Sequence, residues 1–182
     1  MTPPRAPVPR LAGALAGICL LGGCATLASG PTGSVSDDAL RGRIPAPDGA
    51  RRTSVVRVVD GDTVVLSGLG SSRLIGVDTP EVYGGAECFG REASAFARRV
   101  LQPGAPARFV PGEERRDRYG RRLVYLWLDD GRSFNAMLAE GGYARPLVIA
   151  PNDRYATRFE TLARKARRGG VGQWSASTCG ST

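Results

Sequence analysis

The sequence predicts a β-barrel with α-helices, in which five short strands close into a small barrel and about three helices lie between and after them. Five segments rich in β-branched or apolar residues are bounded by glycine, proline or aspartate, which is typical of short strands joined by turns. Two other segments repeat their apolar residues at helical spacing, and a third is bounded by helix-capping residues. The 182-residue chain is long enough to bury one substantial core.

The first two strands are predicted at residues 53–59 and 63–67, which are rich in valine and threonine. The Asp60-Gly61 pair between them is a strong signal for a hairpin turn. The remaining three strands are predicted at residues 73–77, 106–110 and 122–128.

The helices are predicted from periodic apolar positions and from their caps. Residues 91–101 carry one apolar face, and so does the last predicted helix, whose apolar positions run from Tyr155 to Ala166. Ser133 is a candidate N-cap for a short helix over residues 134–140, and we expect Asn152 or Asp153 to cap the last helix. Five strands with these helices suit an OB-fold, a barrel whose open face often binds nucleic acid.

The N-terminus has the organisation of a bacterial export signal over residues 1–23. Arg5 and Arg10 precede a short apolar run over residues 11–21, which is too short to span a bilayer as a stable helix. The Leu-Gly-Gly-Cys ending resembles a lipobox, so we expect Cys24 to be acylated and to hold the protein on the bacterial membrane, facing the periplasm or the cell exterior. An ordinary cleaved signal peptide is the alternative.

The rest of the chain divides by composition into three parts. Residues 24–51 are rich in small and polar residues and are predicted to be a flexible, lipidated tether. Residues 52–175 are predicted to form the folded domain, and residues 176–182 a C-terminal tail. We expect the protein to be a monomer.

Charge and composition exclude several kinds of chemistry. The formal net charge is +8, and Lys165 is the only lysine, so the excess is almost entirely arginine, which binds phosphate in bidentate fashion. A GC-rich coding bias is the alternative explanation of that excess. The chain contains no histidine, which excludes histidine bases, histidine metal ligands and a Ser-His-Asp triad. Oxygen ligands remain, and they favour Ca²⁺ or Mg²⁺ over zinc or copper.

One candidate carboxylate follows the hairpin turn between the first two strands, and another ends the third strand. In a barrel, Asp62 and Asp78 can lie side by side and, with the backbone carbonyl of Thr79, hold one calcium ion. Glu81 lies next to this presumed metal and can accept a proton from an attacking water. Taken alone, Asp-Gly-Asp-Thr is more simply a plain turn, Asp78 a cap, and Glu81 a solvated loop residue.

Arg73 and Arg121 are the candidate phosphate-binding residues. Guanidinium donors stabilise the negative charge that gathers at phosphorus during phosphodiester hydrolysis. Two surface arginines are the alternative. Arg73 and Asp78 are five residues apart and would face opposite sides of a regular strand, so we expect Gly76 to break the strand between them.

These segments together resemble the thermonuclease, or staphylococcal-nuclease-like, family. The resemblance spans roughly residues 52–175, with the pieces in family order, and Trp174 follows the last helix as in that family. The matching pieces are residues 59–63, 73–81, 90–96 and 117–123.

The resemblance implies an OB-fold nuclease that hydrolyses DNA and RNA with Ca²⁺ in preference to Mg²⁺. Cleavage at the 5′-oxygen would leave 3′-phosphate ends. In the family pattern Glu81 is the base, and Arg118 and Tyr119 match positions that contact a terminal phosphate. The same pattern makes the other candidates catalytic arginines and metal ligands: Arg73, Arg121, Asp62, Asp78 and Thr79.

One departure from the family concerns base stacking. The family often has a tyrosine shortly before the Pro-Asn pair that precedes the last helix. Here Pro151-Asn152 follows residues 147–150, Leu-Val-Ile-Ala, which include no aromatic residue. Stacking at that position would be lost, which leaves nucleotide preference and tight mononucleotide binding open.

Two cysteines remain once Cys19 leaves with the leader and Cys24 carries lipid. In an exported protein, Cys88 and Cys179 are expected to form a disulfide that ties the tail to the loop after Glu81. Free thiols or intermolecular pairing are the alternatives.

Two rival functions remain open at this point. An OB-fold envelope lipoprotein can bind nucleic acid through a basic groove without cutting it. A purely structural lipoprotein would show no nucleic-acid binding that weakens with salt. The three carboxylates Asp62, Asp78 and Glu81 argue for catalysis, because binding alone gains nothing from carboxylates beside phosphate.

Overall fold

The computed structural model describes residues 43–85 and 87–179. The chain forms seven strands, β1 to β7, four α-helices, α1 to α4, and one 3₁₀ helix at Gly172–Trp174 in this part of the chain. The strands are β1 Arg51–Val58, β2 Thr63–Leu66, β3 Gly70–Leu74, β4 Gly76–Asp78, β5 Pro106–Arg116, β6 Arg122–Leu128 and β7 Arg145–Leu147. The helices are α1 Gly90–Val100, α2 Phe134–Glu140, α3 Ala156–Arg168 and α4 Ala176–Cys179.

Five strands close into a barrel in the order β1-β2-β3-β6-β5, which confirms the predicted fold class. β3 and β6 are parallel, with Arg73 beside Leu123, and the other barrel pairs are antiparallel. The Asp60-Gly61 turn joins β1 to β2 as the hairpin signal predicts. The barrel therefore brings the ends of β2, β3 and β6 together although they are distant in sequence.

The predicted third strand is interrupted at Ile75 and continues as β4, which leaves the barrel and pairs with β7. Gly76 makes this break with φ of +79°, a left-handed conformation that favours glycine. A Cβ atom at this position would also lie 2.6 Å from the ring of Phe159 on α3. The predicted break between Arg73 and Asp78 is therefore present, at the expected glycine.

The core fills the barrel and the space between it and the helices. The largest fully buried side chains include Trp127, Phe134 and Phe159, contributed by β6, α2 and α3. Trp127 Nε1 donates to the Ile44 carbonyl at 2.6 Å, and the Ile44 side chain is itself buried. The packed domain therefore extends upstream of Arg52, into the end of the segment predicted as tether.

The predicted caps have different outcomes. The Ser133 hydroxyl accepts a hydrogen bond from Ala136 N at 3.3 Å and caps α2 as predicted. The prediction that Asn152 or Asp153 caps the last helix is wrong, because Tyr155 is the N-cap residue of α3 and makes no side-chain cap bond. Asn152 instead bonds the backbone N–H and carbonyl of Glu114 on β5, at 3.2 and 3.1 Å.

The predicted leader over residues 1–23, the lipid-bearing Cys24 and the tether as far as residue 42 lie outside the described residues. Among the helices in the described part of the chain, none combines the length and the apolar character needed to cross a membrane.

Candidate active site

One cleft of ≈ 560 Å³ collects most of the residues singled out in the sequence. It lies where β2, β3, β4 and the turn before β6 meet. Seven of the predicted site residues line it: Asp62, Arg73, Asp78, Glu81, Arg118, Tyr119 and Arg121. Thr79 lies directly behind the cleft, in contact with Asp62.

Asp62 is the buried carboxylate of the site. Its Oδ2 accepts hydrogen bonds from the Thr79 N–H at 2.7 Å and from the Thr79 hydroxyl at 2.8 Å, and its Oδ1 lies 3.0 Å from Arg73 Nε. Burial raises the pKa of Asp62 to about 6, against the opposing influence of Arg73 and of the Thr79 N–H. The carboxylate is therefore held in place while its negative charge is only partly compensated.

Arg73 joins the two carboxylates among the predicted metal ligands. Its Nη2 lies 2.7 Å from Asp78 Oδ1, while its Nε faces Asp62. Its Nη1 donates to the carbonyls of Leu74 and Val77, each at 2.6 Å. The break at Gly76 turns the carbonyl of Val77 and the side chain of Asp78 back towards this guanidinium, which a regular strand could not do.

Arg121 is oriented by Asp117, a residue that the sequence prediction did not include among the site residues. Arg121 Nε lies 2.6 Å from Asp117 Oδ2, and Asp117 Oδ1 accepts from the backbone N–H groups of Tyr119 and Arg121, each at 2.9 Å. Partial burial raises the pKa of Asp117, but the bonds from Arg121 outweigh it and hold the pKa below its ordinary value. Asp117 lies four residues before Arg121, in a turn that contains Gly120, and this spacing could have identified it from the sequence as a partner of the arginine.

Thr63 connects the two halves of the site. Its hydroxyl accepts from Arg121 Nη1 at 3.3 Å and donates to Asp62 Oδ1, also at 3.3 Å. The two bonds form a chain from the arginine on the β6 side to the carboxylate on the β2 side. Sequence reasoning placed this threonine in a strand and in a segment that matches the family, but gave it no role of its own.

Glu81 lines the cleft from the loop that follows β4, and its side chain is exposed. Its backbone carbonyl accepts from Glu87 N at 2.9 Å, and a Cβ at Gly90 would lie 2.5 Å from the same oxygen. The start of α1 thus packs directly on the Glu81 backbone. Within the described residues, no hydrogen bond reaches the Glu81 carboxylate, which leaves it accessible to water.

Arg118 and Tyr119 form the outer edge of the cleft. Arg118 Nη2 donates to the Tyr119 hydroxyl at 2.7 Å, and the Tyr119 ring is 68% exposed. The guanidiniums of Arg118 and Arg121 lie 4.8 and 5.4 Å from the centre of that ring. The ring thus aligns two cations at the mouth of the cleft.

Aliphatic rather than aromatic side chains line the cleft at the end of β7 and just after it. Leu147 and Ile149 belong to the cleft lining and are 39% and 59% exposed. This matches the departure noted in the sequence, where no aromatic residue precedes Pro151-Asn152.

A disulfide joins Cys88 to Cys179, as expected from the export context. Their Cα atoms lie 5.7 Å apart across a sequence separation of 91 residues. The bond ties α4 to the loop between Glu81 and α1, because Cys88 lies in that loop.

The donor set fits a hard divalent cation of the kind that this family pattern implies. Asp62 and Asp78 offer carboxylate oxygens to the cleft, without nitrogen or sulfur ligands. Within the described residues, no group of three or more acidic or cysteine side chains is arranged to hold a metal. A cation here would therefore rely on two carboxylates, a backbone carbonyl, water and the substrate.

Comparisons with known proteins identify relatives of this chain. Residues 71–176 match the protein family described as staphylococcal nuclease homologue. The chain is 38% identical over 127 residues to the thermonuclease of Staphylococcus hyicus, covering 66% of this chain and 74% of that protein. It is 37% identical over 126 residues to the thermonuclease of Staphylococcus intermedius, with the same coverage of both chains. It is also 32% identical over 128 residues to the endonuclease YncB of Bacillus subtilis (strain 168), covering 66% of this chain and 60% of that protein.

Proposed function

Because this chain belongs to the staphylococcal nuclease family and is a phosphodiester-hydrolysing nuclease, we propose that it is a calcium-dependent enzyme that cleaves both DNA and RNA. The observation that carries the proposal is the convergence of three acids and two arginines on one cleft. Those residues are Asp62, Asp78, Glu81, Arg73 and Arg121.

Glu81 is the proposed general base. The oxygen of a water molecule attacks phosphorus, its proton passes to the Glu81 carboxylate, and the bond from phosphorus to the 5′-oxygen breaks. The departing 5′-oxygen takes a proton from solvent, so the products are a 3′-phosphate and a 5′-hydroxyl. Exposure of Glu81 and the absence of a hydrogen bond to its carboxylate within the described residues support this role.

Arg73 and Arg121 are proposed to bind the scissile phosphate and to stabilise the charge that develops on it. Both guanidiniums line the cleft, and both are fixed by carboxylates, Arg73 by Asp62 and Arg121 by Asp117. Fixed donors need little reorganisation during the reaction, which is the source of their effect. Arg118 and Tyr119, at the mouth, are proposed to contact a terminal phosphate.

Asp62, Asp78 and the carbonyl of Thr79 are proposed to hold Ca²⁺, in preference to Mg²⁺. When bound, the cation would polarise a phosphoryl oxygen and offset negative charge at phosphorus. The flexible, oxygen-only ligation that calcium accepts suits a site with only two protein carboxylates.

The test is an assay of the full-length protein on single-stranded DNA and on RNA oligonucleotides, with calcium, magnesium or chelator, followed by end-group analysis. We expect both substrates to be cut in calcium to 3′-phosphate ends and neither to be cut in chelator. Equal rates in calcium and chelator, or 5′-phosphate ends, would contradict the proposal.

A Glu81→Gln variant separates cleavage from binding. We expect its kcat to fall by roughly 10²- to 10⁴-fold, while its affinity for the oligonucleotide stays close to that of the parent. Loss of binding together with cleavage would mean that Glu81 supports the structure of the cleft rather than the proton transfer.

We also propose that the protein is exported and anchored to the bacterial membrane through acylated Cys24. The leader pattern over residues 1–23 supports this location. Metabolic labelling with a fatty acid should mark the parent protein, and Cys24→Ser should abolish the label and release the protein from membranes. A labelled Cys24→Ser variant, or an unlabelled parent, would contradict the anchor.

A further inference from the structure

Helix α3 carries a concentration of positive charge that the cleft does not use. Five of its thirteen residues are basic and one, Glu160, is acidic. Its buried face packs on the core, and its five basic residues are all exposed. None of the five lines the cleft. The buried residues are Phe159, Leu162, Ala163 and Ala166, and the basic ones are Arg158, Arg164, Lys165, Arg167 and Arg168.

Three of these cations lie on one side of the helix and form what we term the α3 stripe: Arg158, Lys165 and Arg168. Within the described residues, no salt bridge involves any of the three, whereas Arg164 pairs with Glu160 at 3.8 Å and Arg167 lies over the Trp174 ring. At 1.5 Å of rise per residue, Arg158 and Lys165 are roughly 10 Å apart along the helix axis and Lys165 and Arg168 roughly 5 Å.

The stability of the helix does not account for the whole stripe. Cations in the last turn, such as Lys165 and Arg168, interact favourably with the helix dipole. Arg158, however, lies in the first turn, which contains no acidic residue, and a cation there opposes the dipole. A positive charge placed against the dipole and left exposed suits an anion from outside the chain.

The segment that leads into helix α3 lines the active-site cleft. Asn152 lines the cleft, and its side chain is fixed to the backbone of Glu114 by two hydrogen bonds. Helix α3 starts four residues later, at Ala156, and extends for about 20 Å. That length is enough to follow several consecutive phosphates of one strand.

We propose that the α3 stripe binds backbone phosphates of a polynucleotide whose scissile bond lies in the cleft. This inference rests on the proposed function, since it extends the binding surface of the same substrate. A polynucleotide is favoured over an anionic membrane because the segment leading into α3 lines the cleft in which the scissile bond is proposed to lie. The stripe then selects long strands over short ones, without reading their sequence.

The test compares a triple variant, Arg158→Gln, Lys165→Gln and Arg168→Gln, with the parent full-length protein. For a 40-nucleotide single strand we expect KM to rise about tenfold or more, and the slope of log affinity against log salt to become shallower by roughly 2. For a trinucleotide, too short to leave the cleft, we expect kcat/KM to change less than about twofold. A nuclease-resistant phosphorothioate 40-mer gives the same affinities without cleavage.

A matched control removes three exposed arginines from the barrel strands β1 and β5, through Arg52→Gln, Arg57→Gln and Arg108→Gln. We expect this control to weaken long-strand binding less than the α3 variant does. Equal losses in the two variants would mean that net charge alone matters and would overturn the proposal, as would an equal effect of the α3 variant on long and short substrates.

Binding to vesicles that contain phosphatidylglycerol, measured for the parent and the α3 variant, tests whether the stripe binds an anionic membrane instead. If the α3 variant loses vesicle binding while its long-strand affinity is unchanged, the stripe faces a membrane and the polynucleotide proposal is overturned. An inactive parent would contradict the proposed function but not this inference, because the phosphorothioate 40-mer still measures the contribution of the stripe to binding.

Discussion

At the scale of single residues, Asp117 determines the direction of Arg121, a proposed catalytic arginine. Its carboxylate holds both Arg121 Nε and the turn that carries Arg121. Asp130 forms the same arrangement with Arg132, away from the active-site cleft, with Nε to Oδ2 at 2.7 Å and backbone N to Oδ1 at 3.0 Å. The chain thus contains its own control for the orienting role.

We predict that Asp117→Asn lowers kcat by roughly 10- to 100-fold, because a displaced guanidinium no longer meets the phosphate. The matched Asp130→Asn variant should stay within about twofold of the parent, as surface substitutions away from a site usually do. Steady-state kinetics on a defined oligonucleotide, with the folded fraction measured by circular dichroism, gives the comparison. A loss of kcat explained by unfolding would assign Asp117 a purely structural role.

Asp62 gives a prediction about pH, because burial raises its pKa to about 6 from an unfolded value near 3.8. Between these two pH values the folded protein binds more protons than the unfolded chain, so stability falls as pH rises. In chelator, we predict that the free energy of unfolding decreases by up to about 3 kcal/mol from pH 4 to pH 7 through this group.

The measurement is urea denaturation at several pH values in chelator, for the parent and for Asp62→Asn. The variant cannot ionise at this position, so its stability should depend less on pH over the same window. Parallel pH profiles for the two proteins would show that Asp62 titrates at its ordinary pKa.

At the scale of elements, the break between β3 and β4 is the feature that converts a strand into an active-site wall. Its position could be predicted, because Arg73 and Asp78 cannot converge from one regular strand and Gly76 lies between them. The pairing of β4 with β7 could not be predicted, because both strands have three residues and the pairing depends on how α3 packs. Local propensity carries little information for such short segments.

We predict that Gly76→Ala destabilises the fold by about 2–4 kcal/mol, because left-handed strain adds to a clash with the Phe159 ring. Gly68→Ala and Gly104→Ala are the controls, since both have positive φ, 74° and 84°, and open space where the methyl would lie. They should lose only about 1 kcal/mol in the same denaturation experiment. Equal losses at all three positions would show that contact with α3 does not fix the break.

The disulfide acts on the loop between β4 and α1. It closes a separation of 91 residues, and in the chain-entropy model such a loop contributes about 4–5 kcal/mol. We predict that a Cys88→Ser, Cys179→Ser double variant loses stability of that order, measured by denaturant unfolding against the oxidised parent. A reduced parent should match the double variant, and an unchanged midpoint in both would contradict the prediction.

The segment between β7 and α3 shows what sequence reasoning missed among the caps. Asn152 follows a proline and precedes a helix, which is the usual position for a cap. In the fold its amide instead pairs with both backbone groups of Glu114. Only the tertiary approach of β5 makes that bond available, so no local pattern could have distinguished the two uses.

At the scale of the whole molecule, the barrel gathers residues that lie up to 59 positions apart between Asp62 and Arg121. The order of the motifs along the chain, with the family resemblance, predicted acids and arginines that the fold brings to one cleft. The supporting residues Thr63 and Asp117 were not predicted as site residues, because their roles depend on side-chain distances rather than on motif spacing. The proposed role of the basic residues on α3 likewise could not be predicted from the sequence, because it depends on where the cleft lies.

The central claim is that the acids and arginines of this cleft act on a single phosphodiester. A crystal structure with Ca²⁺ and a nonhydrolysable dinucleotide tests it most directly. We predict an ion at about 2.3–2.6 Å from carboxylate oxygens of Asp62 and Asp78, with Arg73 and Arg121 on the same phosphate and Glu81 facing its phosphorus. A phosphate bound away from Glu81, or an ion bound without Asp62 and Asp78, would contradict the account.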